Sequence, residues 1–382
     1  MNKDRLLNEF LKLISFDSPS YHEDDIAFYL FDKLKELGLE VSMDNAIEKL
    51  TNRKTKAGNI YGFLKGNIKG DSILFSSHLD TVKPALNKKA IIKDGIVKSD
   101  GIAVLGSDDA TGIAEIIEML TVIKENNLKH PDIEVVFFVA EEEFCKGSSV
   151  FDFSKIKSKI AYVFDLSGKV GNIAISAPSI ISLEIKIHGK AAHAGFEPEK
   201  GISSIVIASN AISKIRLGRI NEDTTINIGT ISGGEGKNII PKDTIITGEI
   251  RSMNHNFAIE LVNNVKDVFI SEANKLNGII DFNYEENIYA YKIEPNDVVI
   301  KKYLDVINKL GYEKPEIINT FGGSDNNNFN KNGIHGIVVS NAMNNIHTVD
   351  EYFELEEFYK ATNICIALAT KLWWTHFLDN FY

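Results

Sequence analysis

The side chains best suited to chemistry stand where apolar runs stop. His78 and Asp80 follow SILFSS (72–77), Glu141, Glu142 and Glu143 follow IEVVFFVA (133–140), and Asp165 closes IAYVFD (160–165). Imidazole and carboxylate are donors that suit zinc and similar divalent cations. In open α/β sheets ligands bind outside the carboxyl ends of strands, so groups far apart in sequence can meet in one crevice. Asp108 and Asp109 lie between Gly106 and a helix that begins near Ala110, a setting in which capping is the ordinary explanation for an acidic pair. Three glutamates directly behind VVFFVA are harder to read as a solvated loop. Burying several carboxylates together is unfavourable unless cations compensate them, and a pair of divalent ions would do that.

The elements that must hold these residues alternate. Leu6, Leu7, Phe10, Leu11 and Ile14 mark one face of an opening amphipathic helix. In a second helix Ser20 and Glu23 read as a capping box, Ile26, Leu30, Leu34 and Leu37 form the stripe, and Gly38 is the stop. Strands over 72–77, 133–140 and 160–165, with a helix over 110–125, predict a mainly parallel sheet with helices on both faces. From 179 the texture changes, because ISLEIKIHG alternates apolar and polar residues as a strand with one solvated face does. A helix over 201–216, strands near 225–231 and 243–252, a helix over 256–275 and a strand over 279–286 complete a β-α-β-β-α-β, ferredoxin-like order. After 292 the α/β texture resumes, with a helix at DVVIKKYLDVINKLG, a strand at GIVVS (336–340) and a closing helix from Leu355. The expected organisation is a discontinuous domain of residues 1–178 and 292–382 interrupted by an inserted α+β sandwich over 179–291. The aromatic end (Trp373, Trp374, Phe377, Phe381, Tyr382) reads as core packing or a subunit contact.

Composition narrows the function classes. The 382 residues exceed what one core usually organises, and 44% hydrophobic with 25% charged residues is an ordinary globular balance. A formal charge of −11 without a basic block gives no electrostatic footprint for nucleic acid or anionic lipid. Cys145 and Cys365 form no paired pattern, so any metal must be held by nitrogen and oxygen. The start MNKDRLLNEFLKLISF lacks the continuous apolar core of a secretory signal, and no stretch approaches the roughly 20 apolar residues of a membrane span, which predicts the cytoplasm. His22, His130, His255, His335 and His376 have no partner pattern, and His347 alone would read as a structural or surface histidine.

The motifs SSHLDTV, LGSDDATG, VAEEEFCKG, VFDLSG, HGKAAHAG, GGEGKNIIP followed by GEIR, GGSDNN and NIHTVDE occur in an order and spacing that resemble the two-zinc peptidase and deacylase family. That family includes peptidase T, carboxypeptidase G, dipeptidases and aminoacylases, and the resemblance spans nearly the whole chain. It implies His78, Asp108, Glu143, Asp165 and His347 as ligands of two divalent ions, with zinc expected and cobalt or manganese also suited. Asp108 would bridge, one ion taking His78 and Asp165 and the other Glu143 and His347. Asp80 would fix the imidazole of His78. Glu142 would be the general base working on a hydroxide between the ions. His193 would reach the partner subunit's site and stabilise an oxyanion, which implies a homodimer formed through the inserted domain. Asn238, Arg251, Gly323 and Ser324 would bind a short peptide, with the arginine gripping its C-terminal carboxylate.

Two positions depart from the family pattern. Ala110 stands where many relatives have lysine, and Asp165 is aspartate where several deacylases have glutamate. The second, with the LGSDD and NIHTVDE wording, points to the peptidase T branch and to removal of an N-terminal residue from tripeptides. An N-acyl amino acid hydrolase or dipeptidase with the same metals is the alternative, followed by an inactive peptide-binding module.

Overall fold

The computed structural model describes residues 1–370, and the aromatic end lies outside them. Among the described residues two compact units emerge, one of residues 1–176, 292–320 and 324–370, the other of 177–291 and 321–323.

The first unit is built on a mixed sheet whose central strands run parallel in the order Ile133–Phe138, Ile73–His78, Ile160–Leu166, His335–Ser340. Strands Ile73–His78 and Ile133–Phe138 are buried at every residue, as expected of strands covered on both faces. Antiparallel strands Glu40–Met43 and Ile60–Leu64, which the sequence reading did not identify, extend one edge. The expected strand 133–140 ends at Phe138, because Ala140 turns into the left-handed region at φ 50°. Register brings His78 opposite Phe138 and Ser76 opposite Val163, so the chemistry-bearing residues leave the sheet at one common end.

Helix Ser107–Asn126 lies against that end. Residues Ile113 to Leu120 are buried all round, which marks it as a core helix rather than an amphipathic surface one. It is closely seated: a Cβ at Gly112 would stand 2.5 Å from Phe164 O and 2.7 Å from Asp109 Oδ1. The opening helix Lys3–Ile14 is tied to it by Glu118, which is 2% exposed and accepts Arg5 Nε at 2.7 Å, Arg5 Nη2 at 2.9 Å and Asn2 N at 2.7 Å. A small antiparallel sheet of Ala90–Lys93, Ile96–Ser99 and Tyr352–Glu354 pins the segment that follows His347.

The second unit is a five-stranded antiparallel sheet in the order Gly218–Asn221, Thr224–Gly233, Asp243–Ser252, Ser179–His188, Ile279–Ile288. Its alternation is the one read from the sequence: Ile181, Leu183, Ile185 and Ile187 point inward, where they meet Ala208, Val262 and Phe269 of helices Ser204–Ile212 and His255–Lys275. The helix expected over 201–216 is shorter, and its tail gives way to the extra strand Gly218–Asn221.

The tight approach at Gly112 yields a prediction. Gly112→Ala should destabilise the protein by roughly 1–3 kcal/mol, the usual cost of overpacking a core, because the obstructing atom is backbone and cannot rotate away. A urea unfolding midpoint equal to wild type would contradict this.

Candidate metal centre

His78 ends its strand with Nδ1 held 3.0 Å from Asp80 O and 3.4 Å from Asp80 Oδ1. Its Nε2 then faces inward, 3.0 Å from Asp108 Oδ1 and 3.7 Å from Asp165 Oδ1. The other oxygen of Asp108 lies 3.0 Å from His347 Nε2, which is also 3.1 Å from Glu142 Oε1. The donors of His78, Asp108 and Asp165 all lie within 4.8 Å of one another, as do those of Asp108, Glu142 and His347, and those of His78, Glu141 and Glu142. Asp108 therefore belongs to two clusters at once, one oxygen to each.

Local chain geometry produces this convergence. Asp108 and Asp109 begin their helix with non-helical backbone angles, which aims both side chains inward. Asp109 turns away from the clusters to accept hydrogen bonds from Ser77 Oγ and, at 2.5 Å, from Asn341 Nδ2. Behind Phe138 the chain reverses within a few residues: Cys145 N donates to Glu141 O at 2.7 Å and Lys146 N to Ala140 O at 3.0 Å. Asp80 accepts Glu141 N at 2.9 Å, Glu142 N at 3.1 Å and Ser20 Oγ at 2.7 Å, so one carboxylate orients both His78 and the glutamate turn. Glu23 Oε1 accepts Ala140 N at 2.8 Å, and Asn59 Oδ1 accepts Val139 N at 3.1 Å.

Charge and burial set the protonation states. Burial pushes Glu142 up to about 7, against the pull of His347. Asp165 is raised to about 6, again chiefly by burial, and Glu141 is driven well above the usual carboxylate range by burial and by Asp165. Burial alone would lower His78, but its hydrogen bonds to Asp108, Asp165 and Asp80 outweigh that and raise it well above an ordinary imidazole. His347 rises to about 10 through hydrogen bonds to Asp108 and Glu142. Asp108 alone among these acids is lowered, because the two imidazoles overcome the cost of its burial.

Glu143 is the residue that does not converge. It stands exposed on the outer side of the turn, and Glu142 occupies the position beside Asp108 and His347 expected for it. The reason is the early reversal at Ala140, which directs Glu141 and Glu142 inward and carries Glu143 and Phe144 outward. The Ser20 and Glu23 capping box is also absent: helix Asp24–Glu36 has no side-chain cap, because both residues are engaged with Asp80 and Ala140. In the second unit, the His193 segment pairs with the Asn238 segment through Ala194 N to Asn238 O at 3.0 Å and Ile240 N to Ala192 O at 2.8 Å. Arg251 is committed internally, with Nε 2.7 Å and Nη2 3.2 Å from the Glu249 carboxylate and Nη1 donating to Phe321 O at 2.9 Å. At Gly323 a Cβ would come 2.3 Å from Ile288 Cδ1, so a side chain there would require that isoleucine tip to move. Ser324 caps helix Asp325–Lys331, where its N–H donates to Asn327 Oδ1 at 3.1 Å. The sequence reading missed Glu141, Asn341 and Glu351. Glu351 follows His347 within the quoted NIHTVDE motif and Asn341 directly follows a buried strand, whereas nothing marked Ser20 and Glu23 as other than caps.

The donor set fits a pair of cations. Glu134, a buried acid at the opposite end of the sheet, is satisfied by protein donors, accepting from Tyr61 Oη, Ser72 Oγ, Lys157 N and Ser158 N at 2.7–2.8 Å, whereas Glu115 of the core helix has a partner on neither carboxylate oxygen. Glu142 Oε1 is buried with no protein neighbour of opposite charge beyond His347 Nε2 at 3.1 Å, inside the Asp108 and His347 cluster. Carboxylate oxygens and imidazole nitrogens converging within 4.8 Å of one another are the donor types and spacing that suit a divalent cation.

Comparison with known proteins supplies the family. The family models described as "Peptidase dimerisation domain" and "Peptidase family M28" match residues 175–277 and 59–175. The chain is 38% identical over 368 residues to the uncharacterised protein YqjE of Bacillus subtilis strain 168, covering 96% of this chain and 98% of that protein. The crystal structure of aminopeptidase PepT from Bacillus cereus ATCC 10987 superposes with a TM-score of 0.89 at 36% identity, covering 97% of this chain and 98% of that one. That of a tripeptidase from Staphylococcus aureus subsp. aureus Mu50 gives 0.91 at 34% identity, with the same coverage. With a parallel sheet that gathers these ligand types at one end and an inserted dimerisation-type domain, the chain belongs to the M20 metallopeptidase family, on its peptidase T-like branch.

Proposed function

We propose that the protein removes the N-terminal residue of short peptides, tripeptides foremost, at a two-cation centre held by His78, Asp108, Glu142, Asp165 and His347. The observation that carries this is Asp108, whose two oxygens each lie 3.0 Å from the Nε2 of a different histidine. His78 and Asp165 serve one ion, Glu142 and His347 the other, and zinc suits the donors, as would cobalt or manganese. Such ions would supply Lewis acidity, polarising a peptide carbonyl and making a water acidic near neutrality.

The chain's own residues do the rest. Glu141 becomes the general base in place of Glu142: it is buried beside the clusters, belongs to neither Asp108 cluster, and its raised proton affinity favours accepting and returning a proton. Its carboxylate takes the proton from the attacking water and delivers it to the nitrogen of the scissile amide, so that the C–N bond breaks and the shortened peptide leaves as a free amine. Asp80 holds His78 through Nδ1, leaving Nε2 to the metal side. His193 Nδ1 accepts Gly195 N at 3.1 Å and Phe196 N at 3.2 Å, so its proton resides on Nε2. That N–H is suited to an oxyanion, and in a homodimer formed through the inserted domain it would serve the partner's site. Asn238, backbone-paired with the same segment, remains a candidate for substrate binding, as do the backbone at Gly323 and Ser324. Arg251 could grip a substrate carboxylate only by giving up Glu249. The compartment proposed is the cytoplasm, where protein turnover leaves short peptides.

Three outcomes are expected. Glu141→Gln should lower kcat about 100- to 10,000-fold while two ions remain bound, and Glu143→Gln should leave both unchanged; the opposite pattern would restore the assignment read from sequence. Free tripeptides should be cleaved and their N-acetylated forms spared, whereas a preference for blocked substrates would make the protein a deacylase. Zinc added to metal-free protein should displace protons from His78, His347, Glu142 and Asp165, all raised in the empty cluster. Because the ligands bind deprotonated, affinity should rise with pH between about 6 and 8. Calorimetry in buffers of different ionisation enthalpy would detect the release, and none at pH 6.5 would contradict the ligand set.

A further inference from the structure

Glu351 belongs to none of the donor clusters, yet it is 1% exposed and its carboxylate is fully used. Oε2 accepts Gly106 N at 2.9 Å, and Oε1 accepts Ser107 Oγ at 2.5 Å and Asp108 N at 3.0 Å. Its backbone is pinned as well. Glu351 O accepts Ser99 N at 3.0 Å, Glu351 N donates to Thr348 O at 3.3 Å, and Asn344 and Tyr352 exchange hydrogen bonds at 2.9 and 3.1 Å around the loop. One side chain thus clasps the turn that carries His347 to the helix start that carries Asp108. His78 and Asp165 are held differently, on strands Ile73–His78 and Ile160–Leu166, where ladder pairing fixes them.

We propose that Glu351 is a positioning residue for one of the two cation sites, the one formed by Asp108, Glu142 and His347, and sets its affinity apart from that of the other. The proposal rests on the two-ion reading above. Two of that site's three ligands ride on segments that Glu351 joins, so losing the clasp frees the Asp108 backbone relative to His347. At the other site only Asp108 is affected. Partners that orient metal ligands without touching the ion typically contribute about 10- to 100-fold in affinity.

The test uses full-length protein loaded with zinc and dialysed against graded chelator, bound zinc being read by atomic emission. Wild type should release its two ions in separate steps. Glu351→Ala should move one step about 10- to 100-fold towards weaker chelation and the other, affected through Asp108 alone, by clearly less. Glu351→Gln should recover most of the loss, since its carbonyl oxygen can keep Ser107 and Asp108 while its amide forfeits only Gly106 N–H. Ser107→Ala, which removes one of the three donors, should shift the same step by less. Thermal unfolding of the metal-free variants separates this from general destabilisation, and if Glu351→Ala does not fold, the glutamine and Ser107 variants make the comparison. Both steps moving equally, neither moving, or a single release step in wild type overturns the role of Glu351. A wild type that takes up fewer than two ions defeats the two-ion reading instead.

Discussion

Asp108 facing two imidazoles at once is the contact on which the rest of the centre depends. A buried carboxylate is tolerable only if both oxygens meet positive charge or donors, and here each oxygen meets one histidine. Asp165, Glu141 and Glu142 crowd the same space with raised proton affinities, so bound protons lower the repulsion among these acids, as the proposed cations would. Exchange of protons for cations would be the electrostatic principle of the proposed metal site.

That exchange requires ligands held in register, and the supporting groups are distributed with some economy. Asp80 serves His78 and the glutamate turn together, and Ser20 and Glu23, at the start of a helix they do not cap, hold Asp80 and Ala140. Ala140, Phe144 and Cys145 adopt left-handed backbone at φ 50°, 62° and 56°, each at a cost of about 1 kcal/mol or more for a residue with a side chain. The turn keeps this conformation because its N–H groups are met by Glu23, Asp80 and the chain's own carbonyls. The result decides which two of three adjacent glutamates enter the centre.

The inserted unit follows simpler rules. Alternating isoleucines bury one face of its sheet against two helices, and a solvated face carries the charged residues. His193 has its tautomer fixed by two backbone donors, whereas Arg251 is occupied by Glu249 and Phe321 O, acting within its own sheet.

Much of this was legible in the chain. Apolar runs ending in His78, the glutamates and Asp165 announced parallel strands with acids at their carboxyl ends, and the alternation from residue 179 announced a second sheet. Donor types were legible because residue chemistry and strand periodicity are local properties, while a bridging place for Asp108 was an expectation implied by the family resemblance. Which glutamate turns inward was not local. It depends on a left-handed Ala140 and on acceptors from Asp80 and Glu23, each about 60 residues away or more along the chain. The same holds for Ser20, which resembles a cap but bonds Asp80, and for Glu351, whose partners lie more than 240 positions earlier. Sequence determined the elements, the donor chemistry and the family; tertiary structure alone decided which donors meet, because hydrogen bonds between distant segments select among side chains that look equivalent along the chain.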